Sequence, residues 1–147
     1  MGFQFRYESL LNLRRHQKEK AEIEHGKALG GLLRAEEMLQ ATEKEYGDVQ
    51  DSFKNALFQE TAGYDIRSYG EYLRSLGVRA ETQRKTIEDL RYTVEKKRKE
   101  LLEKTKQYKV METLRDKDFE KWQKRENELE QKRINELAVL RHGRAYV

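Results

Sequence analysis

The amino-acid sequence predicts an all-α protein: a long antiparallel two-helix coiled coil, a helical hairpin, with an overhanging C-terminal helix. Three observations carry that expectation. None of the 147 residues is proline, so nothing interrupts helices of great length. Charged residues make up 39% of the chain against 36% hydrophobic, the balance of a coiled coil rather than of a thick-cored domain. Two long stretches, separated by one short break, place apolar residues at alternating steps of four and three, the narrow a/d seam by which one helix packs on another.

Helix one is expected over about residues 5–60. Its strongest seam is Ala28, Leu32, Ala35, Leu39, Thr42, Tyr46, Val49, Phe53 and Ala56. Toward the N-terminus the seam becomes polar at His25, Lys18 and Arg14 before Leu11 and Tyr7 restore it. A turn is expected at about 61–66, where Gly63 has the backbone freedom of a helix C-cap and Thr61 or Asp65 the side chain of a cap. Helix two is expected over about 67–142, with Tyr69, Leu73, Leu76, Ala80, Gln83, Ile87, Leu90, Val94, Lys97, Leu101, Lys104, Tyr108 and Met111 on its seam. The whole chain, 1–147, reads as a single coiled-coil domain.

Antiparallel pairing about this turn sets Leu32 near Val94 and Tyr7 near Phe119, and helix one spans roughly 80 Å at 1.5 Å per residue. Residues beyond about Lys121 then have no intramolecular partner. That overhang still carries Trp122, Leu129, Leu137 and Leu140 at helical spacing, which makes it a surface for another protein. Helix-interior glycines at Gly26, Gly30, Gly31, Gly47, Gly70 and Gly77 each cost about 1 kcal/mol relative to alanine. Gly30-Gly31 is the expected place for a bend.

Composition narrows the chemistry. The chain has no cysteine, which removes disulfide frameworks and thiolate metal sites. No apolar run approaches the length of a bilayer span. The N-terminus lacks the apolar core of a signal peptide, and Arg6 stands where myristoylation wants Ser or Thr. His16, His25 and His142 read as solvated side chains, so no metal or other cofactor is expected. No glycine-rich phosphate loop is present, and the glutamates read as i,i+4 partners of Lys and Arg. No catalytic residue emerges, and the chain is not expected to be an enzyme. The basic run Lys96-Lys97-Arg98-Lys99 could neutralise phosphates. Glutamates at 95, 100 and 103 interleave with it, and the run itself holds no aromatic stacking platform; nucleic acid is not an expected partner.

Three stretches then resemble the flagellar export protein FliJ family. They are Phe3-Gln4-Phe5-Arg6-Tyr7-Glu8-Ser9-Leu10-Leu11-Asn12-Leu13-Arg14, then Ile66-Arg67-Ser68-Tyr69-Gly70-Glu71-Tyr72-Leu73-Arg74-Ser75-Leu76 after the turn, and Tyr108-Lys109-Val110-Met111-Glu112-Thr113-Leu114-Arg115-Asp116-Lys117 leading into Asn135-Glu136-Leu137. The resemblance implies a coiled-coil stalk of the flagellar type III protein export apparatus. It implies a cytoplasmic protein, held at the inner face of the cell membrane at the flagellar base through its partners: the hexameric export ATPase, the cytoplasmic domain of the export gate, and export chaperones. Carried over by motif position, gate binding falls to Met38, Leu39, Tyr72 and Leu76. The ATPase-facing residues become Leu10, Leu13, Arg14, Lys121, Trp122, Arg125, Leu129 and Arg133. The chain departs from the family pattern at Thr42 and Glu45, where some relatives are aromatic or apolar. From the residues alone, a generic coiled-coil scaffold or tether, a stalk subunit of another rotary-type ATPase, and a basic nucleic-acid-binding hairpin remain alternatives.

Overall fold

The computed structural model describes residues 2–59 and 63–145, with side chains omitted at 64, 144 and 145. It is an all-α helical hairpin. Helix α1 runs over Glu8–Phe58, 51 residues, and α2 over Gly63–Ala145, 83 residues. Both continue through the interior glycines. Backbone contacts group the chain into two units, Lys20–Leu101 and Met1–Glu19 with Leu102–Val147.

Within Lys20–Leu101 the seam is where the four-three spacing puts it. Ala21, Thr42, Ala56, Leu76, Ala80 and Ile87 are buried; Leu32, Leu39, Val49, Phe53, Leu73, Leu90 and Val94 are half-buried. Leu76 is 0% exposed. Because each helix offers only this stripe, residues one or two steps off it are open, as Ile23, Leu33, Met38 and Tyr92 are. Phe53 and Tyr69 pack with ring centroids 6.0 Å apart near the turn.

Ion pairs flank the seam. Glu36 meets Arg91 at 3.6 Å and Glu43 meets Arg84 at 3.3 Å, one heptad apart on each helix. Glu45 reaches Arg79 at 4.0 Å, and Glu24 reaches Lys97 at 3.4 Å. The Glu36–Arg91 pair fits the expected opposition of Leu32 and Val94, one turn away on each helix. Glu100 pairs with Lys97 three residues back at 3.4 Å, rather than at the expected i,i+4 spacing. Hydrogen bonds that the Lys97 ammonium donates to Glu100 and to Glu24 raise its pKa above the ordinary value. Its contribution is therefore present at neutral pH and is lost only as pH rises through that alkaline value.

One layer of this seam is polar. Thr42 is buried, and its hydroxyl donates to the Met38 carbonyl one turn back at 3.1 Å. Gln83, also on the seam, has a buried Oε1 with no hydrogen-bond partner. An unpaired buried acceptor costs about 1–3 kcal/mol. Polar seam residues of this kind fix register in other coiled coils at the expense of stability.

In the unit that holds both chain ends, Leu11 is 2% exposed and forms a core with Phe5 and Met111, against which Phe3 and Tyr108 pack. Here helix one begins later than the expected residue 5. Residues 2–5 are not helical, and a turn in which Glu8 N–H donates to the Phe5 carbonyl at 3.2 Å leads into α1. Tyr7, expected opposite Phe119, is instead 41% exposed and meets Phe5 edge to face, with ring centroids 5.9 Å apart. Phe3 takes the place against Phe119.

Two further expectations are revised. Gly63 is the first residue of α2, ahead of the expected start at 67, and has no left-handed backbone angle; it is not a C-cap. Asp65 lies in the first turn of α2, where a carboxylate favours the helix dipole. Thr61 lies outside the described residues. A Cβ built on Gly26, Gly31, Gly47, Gly70 or Gly77 would meet nothing within 4 Å, so close backbone approach within the chain does not explain these glycines. Gly26→Ala and Gly77→Ala are each expected to stabilise the fold by about 0.5–1 kcal/mol, read as a higher denaturant midpoint by circular dichroism. A lower midpoint would mean that the fold uses these glycines. Gln83→Leu is expected to stabilise by about 1–2 kcal/mol through loss of the orphaned acceptor, and destabilisation would show that the amide is satisfied.

Candidate functional site

Among the described residues no three His, Asp or Glu side chains cluster as a metal site. His16 lies 3.8 Å from the Glu19 carboxylate one turn on, a single surface pair that the sequence reading passed over. What the molecule offers is helix surface, at two places.

The first is near the turn. Val49, Ser52, Asn55, Ala56, Gln59, Asp65, Ser68, Tyr69 and Tyr72 line an open cleft between α1 and α2. Small side chains on α1, such as Ser52 and Ala56, leave this space. The Tyr72 hydroxyl donates to the Glu45 carboxylate, and that bond raises the tyrosine pKa. Of the residues assigned to the gate, Tyr72 is partly exposed on this cleft. Met38, a full heptad before Glu45 on α1, is 61% exposed. Leu39 is half-buried and lines a separate groove with Ile87 and Arg84. Leu76 is wholly enclosed in the seam and acts through packing. The four do not form one contiguous patch. At the two departures from the family pattern, Thr42 is buried in the seam and Glu45 is engaged by Tyr72.

The second surface belongs to the unit that holds both chain ends. Phe3, Phe119 and Trp122 form an aromatic cluster, with centroid separations of 5.3 Å, 5.9 Å and 5.7 Å for Phe3–Phe119, Phe3–Trp122 and Phe119–Trp122. Trp122 was expected to be bare; the N-terminal strap half-buries it. The alternation of Phe3, Phe5 and Tyr7 with Gln4 and Arg6 is a period-two signal of extended chain that the helical reading overlooked. Beyond the cluster α2 continues alone, with Leu129, Ile134, Leu137, Val139 and Leu140 exposed. Lys121 and Arg125 are exposed, and Arg133 pairs with Glu130 at 3.5 Å. Leu10 and Leu13 are exposed on α1, while half-buried Arg14 bridges to Gln107 across the hairpin.

An all-helical hairpin with a narrow seam, whose described residues hold no metal cluster, is a coiled-coil protein. Its family follows from its sequence: residues 3–146 match the family model described as Flagellar FliJ protein. The chain belongs to the FliJ family and is a flagellar export-related coiled-coil protein. Comparison with curated proteins and with solved structures found no match. No helix among the described residues is long and apolar enough to cross a membrane.

Phe3→Ala is expected to shift Trp122 emission to the red, since Trp122 is the sole tryptophan and loses its cover. Unchanged emission would contradict the strap. Leu76→Ala is expected to cost about 2–5 kcal/mol as a cavity in the seam, and Met38→Ala less than about 0.5 kcal/mol as an exposed truncation. Urea denaturation separates the two; equal losses would contradict the assigned seam.

Proposed function

We propose that this protein is the non-catalytic coiled-coil link between the hexameric flagellar export ATPase and the cytoplasmic domain of the membrane export gate, and that it also meets export chaperones. The observation that carries this reading is the unpaired stretch of α2 beyond Trp122. Its apolar residues Leu129, Ile134, Leu137, Val139 and Leu140 are open, uncovered by α1 among the described residues. A helix of that kind fits the opening of a ring, with Leu129 as an apolar contact and Lys121, Arg125 and Arg133 as charged ones. Leu10, Leu13 and Arg14 border the same end. The turn end, with Met38 and Tyr72 open and Leu39 and Leu76 supporting them from the seam, is the side proposed to face the gate. On this reading the protein resides in the cytoplasm and reaches the membrane only through its partners.

The family match supports a flagellar export role; the division of labour between the two ends is the proposal's own content. The test is the ATP hydrolysis rate of purified flagellar export ATPase with the full chain and with a truncation lacking residues 125–147, which keeps Phe3, Phe119 and Trp122 together. Stimulation by the full chain that the truncation loses is the expected result. Equal stimulation by both, or by neither, would contradict placement of the overhang in the ring.

A further inference from the structure

Four aliphatic side chains near the chain ends are left outside the seam: Leu10 and Leu13 on α1, 37% and 50% exposed, and Val110 and Leu114 on α2, 66% and 36% exposed. Leu10, Leu13 and Gln17 lie at i, i+3 and i+7 and so form one stripe along α1; Gln107, Val110 and Leu114 do the same along α2. One residue ties the stripes together. Arg14 donates to Gln17 Oε1 at 3.2 Å on its own helix and to Gln107 Oε1 at 2.9 Å across the hairpin. The two glutamines, and the leucines and valine in line with them, therefore share one side of the helix pair.

Apart from Glu103, the charges beside this strip are positive. Arg14 binds neutral amide oxygens rather than a carboxylate. Lys109 and Lys117 line the shallow groove that holds Val110, Thr113 and Leu114, and Lys106 sits one turn before Val110. No carboxylate pairs with Lys106, Lys109 or Lys117 among the described residues. Glu103 borders the strip and accepts a hydrogen bond from Gln107 Nε2 at 3.4 Å, which holds the amide that Arg14 uses.

We propose that this strip docks one amphipathic helix of a partner protein, its apolar face laid on Leu10, Leu13, Val110 and Leu114 and its acidic flank against Arg14, Lys106, Lys109 and Lys117. The spacing of one apolar residue per turn on each side is that of a groove for a single helix. The cations supply both attraction and discrimination, since a basic helix would meet like charge. A strip two residues wide is too narrow for the broad apolar face that lies in a bilayer. The inference rests on the reading of this end as a docking end and adds the chemistry of what docks there.

The test uses the full chain and two synthetic amphipathic peptides with the same leucine face, one flanked by glutamate and one by lysine, followed by fluorescence anisotropy. The glutamate peptide is expected to bind, to weaken at least about tenfold with Val110→Asp or Leu13→Asp, and to weaken with added salt. Both variants change exposed positions, and circular dichroism checks that they fold. Absence of binding, equal binding of the lysine peptide, or unchanged affinity in both variants would overturn the proposal. So would capture by vesicles of phosphatidylglycerol and phosphatidylcholine when the glutamate peptide is ignored. The truncation lacking 125–147 retains every residue of the strip, so loss of ring stimulation and loss of peptide binding are separable outcomes.

Discussion

Everything in this molecule hangs on a seam one side chain wide. A globular helix buries a broad apolar face, but here burial within the helices is confined to a and d positions such as Leu11, Ala21, Leu76, Ala80, Ile87 and Met111, and the positions beside them are already wet. The consequence is twofold. Small seam residues, Ala21, Ala56 and Ala80, let the helices approach, while every large apolar residue off the stripe remains as surface. A protein built this way leaves an unusual amount of helix surface available to others.

The seam alone does not say which helix pairs with which, because alanines and leucines at a and d suit many partners. The flanking charges do. Carboxylates at Glu24, Glu36, Glu43 and Glu45 on α1 meet Lys97, Arg91, Arg84 and Arg79 on α2. Each exposed pair stabilises by only about 0–1 kcal/mol. Their sign pattern is what counts: two copies of α1 placed side by side in antiparallel fashion would set glutamate against glutamate, so the intramolecular hairpin is favoured over self-pairing. The polar layer at Thr42 and Gln83 adds a second preference. Slipping either helix by a heptad would leave these groups among apolar neighbours with no gain in hydrogen bonding.

How far the sequence reveals this depends on the length of each signal. From Tyr69 to Met111 the four-three spacing runs unbroken, and the burial follows it residue by residue, even at Lys97 and Lys104, whose aliphatic stems cover the seam while their ammonium groups reach outward. The N-terminal part of α1 was harder. Lys18 and His25 made the register look weak, yet Ala21 between them is buried, because a methyl group leaves little pattern in a polar neighbourhood. The strap is hidden for a different reason: Tyr7 falls in the helical register, which disguises the fact that residues 2–5 are non-helical and lead into α1 through a turn. Gly63 shows the limit of residue preferences. Glycine suits a C-cap, but nothing local decides whether it closes one helix or opens the next. The candidate surfaces were legible as exposed apolar residues on the overhang. Which neighbours they share was not, since the bridge from Arg14 to Gln107 spans 93 positions and depends on the register.

The strap gives the end of the hairpin a defined boundary. Phe3 packs edge-on against Phe119 and at a tilt against Trp122, so the paired part of the molecule closes there and the free part of α2 begins. Docking surfaces at the turn, along the Leu10–Leu114 strip and on the overhang are possible only if the seam is satisfied within one chain. Sedimentation equilibrium across a range of protein concentrations tests that condition most directly. The account predicts the mass of one chain, 17.6 kDa, throughout. A mass of about twice that value, held on dilution, would mean that the seam pairs two chains and would contradict it.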